Sequence, residues 1–163
     1  MSKLRIGSGF DAHRFGSKEV LTIRLGGVDV PYHKEILAHS DGDVLLHALC
    51  DALFGALALG DIGRHFPDTN PIFKDSDSRS LLRATMDKIA QLDYSVVNVD
   101  LTLIAEKPRV ANYIDNMRGC IAEDLKIDLS LVSVKATTTE GLGFVGREEG
   151  IAAEATVLLE MKP

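Results

Sequence analysis

The sequence predicts an α+β fold, with a single sheet and helices packed on one face. Three observations carry this. Apolar and polar residues alternate with a period of two near both ends of the chain and again in its middle. Between those stretches, apolar residues recur at helical spacing. The elements also follow one another as strands and a hairpin, then helix, helix, strand, helix, strand, strand, an order that lays helices over a sheet.

Residues 4–10 are short, alternating and glycine-bearing, as in a strand, and lead straight into Asp11-Ala12-His13. In extended chain Asp11 and His13 share a face. Residues 20–25 and 28–30 flank Gly26-Gly27, a hairpin signal. Pro31 ends the second arm, and a polar loop reaches His39. Residues 43–59 form a helix that is apolar nearly all round, with Gly60 as its stop. Residues 61–77 read as a long loop of the functional kind. Asp77 or Ser78 caps a helix running to about Gln91, with Leu81, Leu82, Thr85 and Ile89 facing inward. Residues 95–106 form a strand with Val97, Val99, Leu101 and Leu103 on one side. Pro108 opens a further helix, along which Val110, Ile114, Met117, Ile121 and Leu125 recur. Residues 131–139 and 151–159 are strands, separated by a glycine-rich loop.

The 163 residues suit one domain, residues 1–163, with its own core. A net charge of -6 argues against nucleic acid, whose phosphates attract basic faces. It leaves room for a small phosphorylated substrate. The two cysteines, Cys50 and Cys120, form no CxxC pair and read as reduced thiols. The N-terminus lacks a secretory apolar region, and residues 45–59 are too short to span a bilayer. A cytoplasmic protein with no membrane partner is expected.

The chemistry centres on residues 39–51. Asp43, His47 and Asp51 recur at i, i+4, i+8, so one face of an apolar helix carries ionisable groups. Such groups need partners or a metal. Asp11, His13 and His47 make a zinc set of two imidazoles and a carboxylate, leaving an open fourth position. Asp51 is placed to orient His47. His39 and Ser40 precede the helix, where an anion meets amides. Thr137, Thr138 and Thr139 offer hydroxyls and amides to phosphate oxygens, and Glu140 suits a hard divalent cation. Arg147 is placed to pair with a phosphate or with Glu149. These residues alone also fit a zinc hydrolase with Asp43 or Asp61 as base, or a metal-dependent binding module.

Together the motifs resemble the 2-C-methyl-D-erythritol 2,4-cyclodiphosphate synthase family. The resemblance rests on residues 6–13 (IGSGFDAH), 38–43 (AHSDGD), His47-Ala48 with Asp51-Ala52, 60–63 (GDIG), 66–68 (FPD), Asp77-Ser78, 135–140 (KATTTE), Gly143-Phe144 and Gly146-Arg147. It spans residues 5–159. It implies a cytoplasmic α+β homotrimer with active sites between subunits. The implied reaction closes 4-diphosphocytidyl-2-C-methyl-D-erythritol 2-phosphate into the cyclic diphosphate and releases CMP, in non-mevalonate isoprenoid synthesis.

The resemblance also implies roles. Asp11, His13 and His47 match zinc ligands, and Glu140 matches a ligand for magnesium or manganese. His39 and Thr138 match residues that stabilise the transition state. Asp11, Ala12, His13, His39 and Ser40 match substrate contacts. Asp61, Ile62, Gly63, Phe66, Pro67, Asp68, Thr69 and Asn70 match a loop over the erythritol phosphate. Ala105, Glu106, Lys107, Pro108, Arg109, Val110 and Ala111, with Thr137, Thr138, Thr139 and Glu140, match the cytidine and diphosphate pocket. Arg109 stands where lysine is common. Phe10, Phe144, Arg147 and Glu149 match positions near a central cavity that in some members holds an isoprenoid diphosphate.

Overall fold

A computed structural model describes residues 3–163. Five strands form the main sheet: β1 (Leu4–Glu19), β4 (Lys34–Leu37), β5 (Tyr94–Ile104), β6 (Val132–Thr137) and β7 (Gly150–Met161), in the order β4-β1-β7-β5-β6. Only β5 and β6 run parallel; the other neighbours are antiparallel. The hairpin expected around Gly26-Gly27 is β2 (Thr22–Leu25) with β3 (Val28–Pro31), and it forms a separate two-stranded sheet. Both glycines have positive φ, as the turn requires. Three long helices, α1 (Val44–Ala56), α3 (Ser78–Gln91) and α4 (Ile114–Leu125), cover one face of the main sheet.

The contact between β1 and α1 sets the geometry of the site. Gly7 and Gly9 face α1, and a Cβ on either would lie 2.0 Å from a helix carbonyl, Ala52 O or Ala48 O respectively. The helix answers with Ala48, Ala52 and Ala56 at i, i+4, i+8, all buried. Strand and helix backbones therefore touch almost without side chains between them. Because side chains alternate along a strand, the same face of β1 carries Gly7, Gly9, Asp11 and His13 in succession. Asp11 and His13 are thus delivered to the N-terminal half of α1, where His47 sits.

Local differences from the sequence reading have physical causes. β1 runs on to Glu19 rather than ending at Phe10, because β7 pairs with it as far as Arg14 and β4 takes over from there. The polar stretch before His39 holds a short edge strand, β4, which leans on Arg14 and Phe15. Helix α1 stops at Ala56, before Gly60: Ala58 adopts a left-handed φ of 55°, and Leu59 N donates to Phe54 O at 3.0 Å. Val97 is half-buried, because the pairing with β7 shifts between Val96 and Asn98, which puts Val96 inward instead. Pro108 opens no helix. It lies buried in a loop, and α4 begins six positions later, at Ile114. The stretch 61–77 contains the short helix α2 (Ile62–His65) and a turn of 3₁₀ helix at Pro71–Phe73. The glycine-rich loop contains α5 (Gly143–Gly146).

The sheet face away from the helices stays uncovered. Ile6 is 73% exposed and Phe10 56% exposed there, beside a Lys135–Asp100 ion pair. Among the described residues no helix is long and apolar enough to cross a membrane.

Candidate metal centre and nucleotide pocket

Three ligand atoms converge between β1 and α1. Asp11 Oδ2 lies 2.9 Å from His13 Nε2 and 3.1 Å from His47 Nδ1, and the two imidazole nitrogens are 3.1 Å apart. Bonds of about 2.0–2.1 Å in a tetrahedral zinc site place ligand atoms about 3.3 Å apart. The observed triangle is slightly tighter, and its donors, two imidazoles and one carboxylate, are those of an open zinc site. Among the described residues this is the group that could hold a metal ion. Burial raises the Asp11 carboxyl, but hydrogen bonds from His13 and His47 outweigh it and hold the pKa down at about 2. Burial also works against a charged His47; Asp11, with Asp43 and Asp41 behind it, outweighs that and raises the imidazole above 6.5. The site favours cations.

The other side of His47 is also occupied. Its Nε2 lies 2.9 Å from Ser78 Oγ and 3.0 Å from Ser40 Oγ. Asp51, expected to orient this ring, instead accepts from Ile62 N at 2.7 Å. It anchors the start of α2. Ser78 escaped the sequence reading because it lies 31 positions from His47 and reads as an ordinary helix-start residue. Asp43 is fully buried as the N-cap of α1, accepting from Leu46 N, Gly26 N and Gly27 N. It pins the hairpin to the helix, and it is fully buried away from the cavity wall, out of reach of a bound water there.

A cavity of about 190 Å³ opens beside the triad. Its walls include Asp11, His13, His39, Ser40, His47, Ile62, Gly63, Phe66 and Asp68. His39 Nε2 is buried there with no hydrogen-bond partner among the described residues. Asp61 caps α2 through Arg64 N, and Asn70 caps the following 3₁₀ turn through Ile72 N. Pro67, Thr69 and Asn70 belong to the same stretch but not to the cavity wall.

A second cavity, about 730 Å³, lies between β5, β6 and the start of α4. Residues 105–111 line it with Thr137 and Thr138. Glu106 accepts from Thr139 N at 3.0 Å and Gly141 N at 3.1 Å, so it shapes the 139–142 turn. Glu140 is exposed on that turn, with a φ of 54°. Ala12 and Phe144 line a third cavity, about 520 Å³, with His13 and Glu149. Arg147 is exposed and pairs with Glu149 at 3.1 Å.

Within one chain the triad and the second cavity are separate. Asp11 stands opposite Ala153 of β7, Ala153 opposite Leu103 of β5, and Leu103 opposite Ala136 of β6. Three strand spacings, roughly 14 Å, divide them. His39 and Thr138 therefore sit on different cavities.

Comparison with known proteins gives a family and a fold. The curated 2-C-methyl-D-erythritol 2,4-cyclodiphosphate synthase of Chromohalobacter salexigens is 61% identical over 156 residues, covering 96% of this chain and 95% of the relative. The protein of the same name from Ectopseudomonas mendocina is 60% identical, covering 96% and 98%. Among solved structures, a CDP complex of IspF from Plasmodium falciparum superposes with a TM-score of 0.86 at 35% identity, over 100% of this chain and 99% of that one. The bifunctional IspDF of Campylobacter jejuni gives a TM-score of 0.93 at 40% identity, and this chain spans 43% of that longer one. Residues 4–160 match the YgbB family, and the chain belongs to it.

Proposed function

We propose that the chain converts 4-diphosphocytidyl-2-C-methyl-D-erythritol 2-phosphate to 2-C-methyl-D-erythritol 2,4-cyclodiphosphate with release of CMP, using zinc at Asp11, His13 and His47 and magnesium or manganese held with the help of Glu140. The carrying observation is the three-atom ligand triangle beside a small cavity with an unpaired His39 nitrogen. When bound, the metals supply Lewis-acid polarisation and charge neutralisation on the diphosphate.

The chain's own residues do the rest. The substrate carries its nucleophile, so no protein nucleophile or general base is needed, and ring closure depends on clamping a reactive conformer. Ile62, Gly63, Phe66 and Asp68 supply the wall that holds the erythritol phosphate and keeps water out. His39 Nε2 is free to donate to a phosphate oxygen as charge builds up. Residues 105–111 with Thr137, Thr138 and Thr139 receive the cytidine and its phosphates. Ala12 and Phe144, which line the third cavity, and the exposed Arg147 are assigned to further substrate contacts.

The strand separation between the two cavities supports a site shared between copies, and the exposed apolar residues of the open sheet face support a homotrimer packed through it. Its axis would then line a cavity suited to an isoprenoid diphosphate. Incubating the purified chain with the cytidylyl substrate tests the reading. CMP and cyclic product should appear in equal amounts, and a chelator should stop both. Inorganic phosphate as the product, or turnover that survives zinc removal, refutes it.

A further inference from the structure

We propose that Ser78, held by Asp41, is a positioning residue that fixes the hydrogen of His47 on Nε2 and so keeps the Nδ1 lone pair turned to the metal. The inference rests on the zinc reading above. It adds Ser78 and Asp41, which that reading does not use.

His47 Nδ1 faces Asp11 and His13 at 3.1 Å each. The ring's other nitrogen, Nε2, lies 2.9 Å from Ser78 Oγ. Ser78 is fully buried, so its hydroxyl has no recourse to water. That hydroxyl donates to Asp41 Oδ1, while the Ser78 amide donates to Asp41 Oδ2 at 3.0 Å. A serine has one hydrogen to give. With it committed to a carboxylate, Ser78 Oγ can only accept from the imidazole. Nε2 must then carry a hydrogen, and in the neutral ring Nδ1 is left as the ligand.

Ser40 is the less committed neighbour. Its Oγ is 3.0 Å from Nε2 and accepts from Gly42 N at 3.3 Å, but its hydrogen is not held by a carboxylate, and it lies on the cavity wall. Asp41 also accepts from Asp43 N at 3.1 Å, so the loop before α1 is the frame for the relay. The charge of Asp41 makes Ser78 a better acceptor, which strengthens the Nε2–H bond and the basicity of Nδ1.

The test uses the full chain in its assembled state. Zinc affinity is measured by competition with a chromophoric chelator, and the imidazole signals are read by nitrogen-15 NMR of zinc-loaded, histidine-labelled protein. The wild type should show one slowly exchanging Nε2–H proton from His47. Ser78→Ala should lose that protected proton and bind zinc about 10- to 100-fold more weakly. Asp41→Asn removes the charge and sets its NH2 against either Asp43 N or Ser78 N, so the serine hydrogen is held less firmly and can turn toward Nε2; zinc affinity should fall here too. Wild-type chain that binds zinc, with both variants binding within about threefold of it and the imidazole signal unchanged, overturns this proposal alone. A wild type with no zinc affinity refutes the metal reading and this proposal with it.

Discussion

Replacing His47 with alanine removes one corner of the ligand triangle and leaves α1 with an alanine beside Ala48, so the helix should persist. Zinc affinity should fall by more than about a hundredfold and turnover with it, read by elemental analysis and CMP release. Circular dichroism should stay as in the wild type. The pH dependence has a definite sign. The pKa of His47 lies above 6.5, and a proton on Nδ1 competes with the metal. Below that raised value, this group should weaken zinc binding by about tenfold per pH unit; above it, the dependence should vanish. In metal-free protein the stabilisation from charged His47 is present below 6.5 and lost as pH rises through the raised value. Asp11 behaves oppositely: its contribution is present above 3.8 and lost as pH falls toward about 2. Glu140→Gln should shift the magnesium or manganese titration while leaving zinc content unchanged. An unaltered titration would remove Glu140 from its proposed role. The triad was legible in the sequence because Asp-x-His on a strand is a local pattern. Ser78 was not, since only the folded chain brings it to His47. Asp51 misled because helical spacing puts it near His47, whereas the amide of Ile62, outside that helix, claims its carboxylate.

At the scale of elements, the strand–helix contact under Gly7 and Gly9 should be the least forgiving place in the chain. Gly9→Ala drives a Cβ into Ala48 O, and backbone must move to admit it. Loss of about 3 kcal/mol is expected, read by chemical denaturation, with zinc affinity falling as Asp11 and His13 shift against α1. A stability within about 0.5 kcal/mol of wild type would show that the two backbones are not in contact. The helices and strands with a clean period were readable: Leu81, Leu82, Thr85 and Ile89 are all buried, as their spacing requires. Irregular features were not. The bulge at Val97, the stop at Ala58 and the edge strand β4 depend on partners distant in sequence, and no periodicity announces them.

For the whole molecule, the uncovered sheet face is the main feature that one chain leaves unresolved. Ile6 projects from it with 73% of its surface exposed. Ile6→Asp should push the assembly toward monomer in light scattering, because a carboxylate there would be buried without a partner. Circular dichroism of the variant should match wild type, and CMP release should drop along with the mass. An unchanged mass would place the contact elsewhere.

The three-strand gap between the ligand triangle and the second cavity has a genetic consequence. If each working centre draws its halves from two copies, then two defective chains can repair one another. A chain lacking His47 still offers an intact nucleotide pocket, and a chain disabled at Thr138 and Glu140 still offers an intact triangle. Unfolded together and refolded at equal amounts, they should form hybrid assemblies in which about a quarter of the centres are whole. Neither parent alone would show turnover, yet the mixture would, and co-expressed alleles would complement in the cell.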